Sequence, residues 1–161
     1  MILVLCGTQK QDFSRMIRVV EALADEHEVV IQAGYTKHKS NKMRIFDFTT
    51  SDELAELYDR SDYIVTHGGA GSIFQAVKAG KKTLVFPRLE KYGEHVDDHQ
   101  LQLAGKLAEL GYLQIFADGD DIKTNFANLQ NFVPKTYDLT GEITDLVAKK
   151  LNEWLQNDFL E

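Results

Sequence analysis

The chain predicts a doubly wound α/β fold around a mostly parallel sheet. Short apolar runs alternate with stretches whose apolar residues return every three or four positions, which is the signature of strands alternating with half-buried helices. The apolar runs stop at glycine, proline or small polar residues, as buried strands do. No repeat, low-complexity tract or Gly/Ser/Pro linker interrupts the 161 residues, so 1–161 reads as a single domain.

The elements follow in order. Residues 2–6 form an apolar run that stops at Gly7-Thr8. Over 12–25 the period changes, and Phe13, Met16, Ile17, Val20, Leu23 and Ala24 mark a helix with one buried face. Residues 28–33 read as a second strand ended by Gly34, and 44–48 as a third. A short helix over 51–58 follows, capped by Thr50 or Ser51. Residues 62–66 read as a fourth strand. The run 67–72 then leads into a helix to about Ala79, which Gly80 stops. The fifth strand is 83–86, closed by Pro87. A helix from about 97 to 110 places Leu103, Leu107 and Leu110 on one stripe and ends at Gly111. Residues 113–116 read as a sixth strand, 119–131 as a short helix and 141–159 as a C-terminal helix beyond Pro134. That last helix has a wide apolar stripe. It either docks on its own sheet or offers Trp154 and Phe159 to a partner.

Composition narrows the function. With 43% apolar and 27% charged residues the chain buries a core and is not disordered. Eighteen basic against 25 acidic residues give a net charge of −7, which argues against nucleic-acid binding through a basic surface. A single cysteine, Cys6, allows no intrachain disulfide; it reads as a core residue, and the expected compartment is the cytoplasm. No apolar run approaches the roughly 18 residues of a membrane span. The opening residues lack the basic region of a signal peptide, so any membrane association is expected to be peripheral or through a partner.

Ligands of such sheets bind at the carboxyl ends of the strands, where the loops 7–9, 67–72 and 87–100 stand out. Gly68, Gly69 and Gly71 lie between a strand and a helix. They either let the backbone approach a phosphate at the helix N-terminus or make a tight turn for packing reasons. His67 and Ser72 add hydrogen-bonding groups beside them. The segment from Gly93 to Gln100 crowds Glu94, His95, Asp97, Asp98, His99 and Gln100 at a helix start. It serves as a solvated cap, as a recognition site for sugar hydroxyls, or through His95 and His99 as a metal site that lacks an evident third ligand. Lys37, Lys39, Lys42 and Arg44 form a local basic cluster, read as a solvated loop or as a face toward anionic lipid or a diphosphate. Spacing excludes a P-loop at Gly80-Lys81-Lys82-Thr83, and no G-x-G-x-x-G follows the first strand.

The run from Thr66 to Ser72, then Gly80-Lys81, Pro87 and Asp98-His99-Gln100, resembles the donor-binding half of GT-B glycosyltransferases, and more narrowly the family 28 C-terminal domain. The run 87–100 resembles exopolysaccharide and capsule subunits of PssE type. These are related to the small catalytic subunit of the two-part dolichol-linked N-acetylglucosaminyltransferase. The resemblance covers residues 1 to about 115. It implies a Rossmann-like single half of a GT-B fold with a nucleotide-sugar site. Its diphosphate contacts carry over to Thr8, His67, Gly68, Gly69, Ala70, Gly71 and Ser72. Where relatives hold the ribose with a carboxylate this chain has Gln75, an amide without charge assistance. His99 and Gln100 fall where relatives grip sugar hydroxyls, with Arg88, Glu94 and Asp98 on the same loop. His67 and His95 are the candidate general bases.

The implied activity is that of the donor-binding catalytic subunit of a two-component inverting glycosyltransferase. It would move a hexose, galactose from UDP-galactose, to a lipid-linked acceptor in exopolysaccharide or capsule biosynthesis. The alternatives are a UDP-N-acetylglucosamine transferase subunit or a non-catalytic stabilising subunit. The resemblance also implies a membrane-anchored, acceptor-binding partner that recruits the chain to the inner face of the membrane, and neither cofactor nor metal.

Overall fold

Apolar side chains on both faces of residues 2–5 dictate where this strand must lie. Ile2 and Val4 belong to one core and Leu3 and Leu5 to another, and all four are at most 2% exposed. A strand that is apolar on both sides needs helices over both faces of its sheet. The computed structural model, which describes residues 1–96, 99–137, 141 and 145, places it accordingly. This strand, β1 (Ile2–Leu5), pairs in parallel with β2 (Val29–Gln32) on one side and β4 (Tyr63–Thr66) on the other. With β3 (Arg44–Phe46), β5 (Lys82–Val85) and β6 (Gln114–Ile115) the sheet has the order β3-β2-β1-β4-β5-β6, and each described pairing is parallel. The strand order reverses between β1 and β4, the point where ligands of such sheets bind.

The helices divide between the faces. On one side α1 (Ser14–Val20) and α5 (Ile122–Asn131) cover Val4, Ile31, Val65 and Leu84 with Phe13, Ile17, Phe126 and Leu129. On the other, α2 (Ser51–Arg60) and α3 (Ala70–Lys78) cover Leu3, Leu5, Val30 and Ile64 with Leu57, Tyr58 and Ala76. Beside them α4 (His99–Glu109) packs Leu103, Ala104 and Leu107 against Ile73, Val77 and Val85.

Several elements are shorter than the periodicity predicts, whereas α2 runs on to Arg60. The helix expected over 12–25 is α1 followed by a 3₁₀ turn at Glu21–Leu23. The sixth strand contributes two residues, and beyond it Phe116 stacks its ring on Phe86, 4.5 Å away and nearly parallel. Thr50 caps α2 in a reciprocal capping box with Glu53, and Asp121 caps α5. The expected start of α4 at Asp97 and the C-terminal helix 141–159 lie outside the described residues, apart from Gly141 and Asp145. Among the described residues no helix is long and apolar enough to cross a membrane.

Two substitutions separate core from cap. Leu84→Ala, at a fully buried position of β5, is expected to cost about 3 kcal/mol in urea unfolding through lost burial and a residual cavity. Thr50→Ala, at an exposed cap, is expected to cost about 1 kcal/mol.

Candidate functional site

The loops after β1 and β4 meet over the strand reversal around one imidazole. His67 follows β4 and is 8% exposed. Its Nδ1 lies 3.2 Å from the Leu5 carbonyl oxygen, which can only accept, so Nδ1 carries the proton and Nε2 bears the lone pair. The Nε2 edge lies between Gly7 and Gly69. A Cβ on Gly7 would come within 2.5 Å of Nε2, and one on Gly69 within 2.3 Å. Neither position tolerates a side chain, and Gly7 in addition has φ +79°, which favours glycine. Burial pushes the His67 pKa down to about 4, helped by the positive charge of Arg88 and by His95 and opposed by the Leu5 carbonyl. At neutral pH His67 is therefore an uncharged acceptor.

The glycine turn runs into α3, whose N-cap is Gly69. No side chain caps this helix, unlike α2 and α5, and no acidic residue lies in its first turn, unlike α2. Its opening N–H groups have no intrahelical acceptors, and the helix dipole makes this end favourable to an anion. They open onto a cleft of about 390 Å³. One wall of the cleft is Gly7, Thr8, His67, Gly69, Gly71 and Ser72. Gly71 differs from its neighbours, because a Cβ there would meet nothing within 4 Å. Packing within the chain does not require a glycine at this position, whereas a ligand close to the backbone would. The other wall is Gln32, Phe48, Thr49 and Leu54, from the ends of β2 and β3 and the start of α2. Sequence reasoning did not reach these four. Only the structure marks Phe48, a large apolar residue left half exposed, edge-to-face with Tyr35 at 5.2 Å.

The loop after β5 is held from inside. Arg88, expected to reach a ligand, is turned inward and 1% exposed. It donates to the carbonyl oxygens of Cys6, Gln11 and Glu94 at 2.9, 2.9 and 3.0 Å, and its guanidinium lies 4.4 Å from the Phe13 ring centroid. Glu94, also expected at the ligand, is 3% exposed. It accepts from Arg15 Nε at 2.8 Å, Arg15 Nη2 at 2.7 Å and the Leu89 amide at 3.0 Å. Both residues hold loops together through these bonds, although Arg88 Nε is buried without a partner. His95 stands 3.0 Å from Gln9 across the two loops. Gln100, early in α4, lies where a Cβ on Gly68 would meet its own Cβ at 2.6 Å, and its Oε1 is buried without a partner. Gln75 is exposed on α3, one turn after the cleft-lining Gly71 and Ser72 but not itself among the lining residues, and Ala70 opens the helix. Asp98 lies outside the described residues, and His99 is placed only as the first residue of α4.

Among the described residues no group of three His, Cys, Asp or Glu side chains is arranged to hold a metal. The basic cluster is partly neutralised on the spot, with Lys37 on Asp47 at 2.7 Å and Lys42 on Asp25 at 2.8 Å. Cys6 is fully buried and its thiol is pushed up to about 12 by desolvation, so it is inert packing.

Comparison with known proteins bears on the family and the fold. A UDP-N-acetylglucosamine transferase subunit ALG13 of Yarrowia lipolytica is 30% identical over 89 residues, 55% of this chain and 43% of that protein. The protein of the same name in Saccharomyces cerevisiae is 31% identical over 75 residues, 46% of this chain and 35% of its own length. These matches thus span less than half of either relative. Among solved structures, the solution structure of ALG13 superimposes with a TM-score of 0.61 at 19% identity, over 89% of this chain and 91% of that one. MurG of Acinetobacter baumannii superimposes with a TM-score of 0.54 at 22% identity, over 81% of this chain and 42% of that one. At these identities the structural likenesses establish the fold, a Rossmann-like half of a GT-B architecture. The family profile of the glycosyltransferase family 28 C-terminal domain matches residues 1–152, and the chain belongs to that family.

Proposed function

We propose that the chain is the donor-binding, catalytic subunit of a two-component glycosyltransferase that takes UDP-N-acetylglucosamine as donor. One observation carries this reading: an uncapped helix N-terminus, a glycine without packing neighbours and an uncharged imidazole share one cleft at the strand reversal. A diphosphate fits against the opening N–H groups of α3 and beside Thr8 and Ser72. The flat wall of Phe48, Thr49 and Leu54 suits the base. The sugar then lies toward His95 and Gln100.

The choice of sugar follows the relatives, which are named for N-acetylglucosamine transfer and give no support to galactose or to an exopolysaccharide product. The lipid-linked acceptor and a membrane-anchored partner that presents it complete the reading. The reaction is an inverting displacement. An acceptor oxygen bonds to the anomeric carbon, the bond from that carbon to the diphosphate oxygen breaks, and the electron pair leaves with the nucleotide. The α3 N–H groups stabilise that charge, with no metal step assigned. The acceptor proton goes to a general base. His67, with its pKa near 4, is poorly matched to that task at neutral pH and serves better as a neutral acceptor for a donor hydroxyl.

Calorimetry tests the cleft. UDP and UDP-N-acetylglucosamine should bind saturably. Gly71→Ala should leave the fold intact and weaken UDP about tenfold, ~1.4 kcal/mol. A variant that binds UDP as well as the parent would remove the diphosphate from this wall.

The His67 assignment has a pH signature. Its ordinary pKa of 6.5 applies in the unfolded chain and a value of about 4 in the folded one. Below pH 6.5 the unfolded chain takes up a proton that the folded chain refuses. The contribution of His67 is therefore present in full above that pH and is lost as pH falls toward 4, by up to about 3 kcal/mol. Urea unfolding of wild type and His67→Gln across this window should show the slope in the former and its loss in the latter.

A further inference from the structure

We infer that Arg15 is a positioning residue for the sugar end of the donor site, acting on His95 through Glu94; the inference rests on the donor-site reading above. Arg15 lies on α1, outside the residues that line the cleft. Its guanidinium makes a bidentate pair with the Glu94 carboxylate at 2.8 and 2.7 Å and donates to the Pro87 carbonyl oxygen at 2.9 Å. It grips the loop after β5 at both ends of the 87–94 stretch. Its face lies 4.6 Å from the Phe86 ring centroid and 5.0 Å from that of Tyr92. Tyr92 is itself tied through its hydroxyl to Asp118 at 2.9 Å, where Lys91 Nζ also lands at 2.5 Å. A planar fork that stacks and donates in two directions is a task lysine cannot reproduce.

What this clasp orients is the next residue. With the Glu94 carboxylate fixed by Arg15 and its carbonyl by Arg88, the backbone entering His95 has little freedom. His95 then reaches back to Gln9 on the loop after β1. With Gln9 Nε2 as the donor, His95 Nε2 accepts at 3.0 Å and the imidazole proton sits on Nδ1, while Gln9 Oε1 is buried without a partner. The histidine thereby has one tautomer and one orientation beside His67, close enough to influence its charge. Arg15 touches no ligand, yet it sets which imidazole edge the sugar meets.

The full chain and its Arg15→Met, Arg15→Lys and Gln9→Leu variants test this with two readouts. The first is calorimetry with UDP and with UDP-N-acetylglucosamine. Arg15→Met is expected to weaken the nucleotide sugar roughly tenfold and UDP less than about twofold, with partial recovery in Arg15→Lys. The second is imidazole ¹⁵N spectroscopy without ligand. His95 should show a single Nδ1-protonated tautomer in wild type and a mixture in both Arg15→Met and Gln9→Leu. Equal losses for the two ligands, or an unchanged His95 spectrum in folded Arg15→Met, would overturn the proposal. A wild-type chain that binds neither ligand would sink the donor-site reading instead, and the spectrum alone would then decide whether Arg15 orients His95.

Discussion

A guanidinium buried among main-chain carbonyls holds the cleft together. Arg88 gives its hydrogen bonds to the loop after β1, at Cys6 and Gln11, and to its own loop at Glu94, with Phe13 against its face. Removing such a charge from water costs several kcal/mol, and the carbonyls offset that cost only from fixed positions. The two loops are therefore held in register with each other before any ligand arrives. Because Arg88 follows β5 directly after Pro87, the sheet itself sets the height of the clamp.

The same economy of space governs the loop after β4. His67 occupies the room that side chains at positions 7 and 69 would need, and Gly34, with φ +60°, lets the next loop pass against the Gly7 carbonyl, where a Cβ would stand 2.3 Å from the oxygen. Two loops thus converge on one imidazole, and a third passes against the first of them, because glycines leave no bulk between them. Gly71 falls outside this account, and that exception points to a ligand more directly than the glycine-rich composition of the turn does.

The electrostatics are local. The chain carries a net charge of −7, yet the cleft offers an anion the uncapped end of α3 with the buried Arg88 cation nearby. Fixed dipoles of this kind need no reorganisation when charge develops on a leaving group, which suits the proposed transfer from a nucleotide sugar. The acidic exterior gives no sign of this, since net charge reports on the surface as a whole and the cleft is a small part of it.

The chain's pattern alone determined the α/β class, the place of nearly every described element and the position of the glycine turn at the carboxyl end of the sheet. Each of these follows from local periodicity, from stop residues and from spacing along the chain. Tyr92 and Arg15, or Gln9 and His95, are far apart in sequence and carry no mutual signal there, so their meeting was decided by the tertiary structure. The inward turn of Arg88 and Glu94 was decided in the same way. In the sequence they stand beside His95 and Gln100 as equals, and only the packing of Phe13, Phe86 and Arg15 around them shows which side chains the core consumes. The wall of Phe48, Thr49 and Leu54 was hidden because it is assembled from the ends of different elements. Periodicity registers which face of each element is buried, whereas a cleft is formed by the residues left over where several elements end.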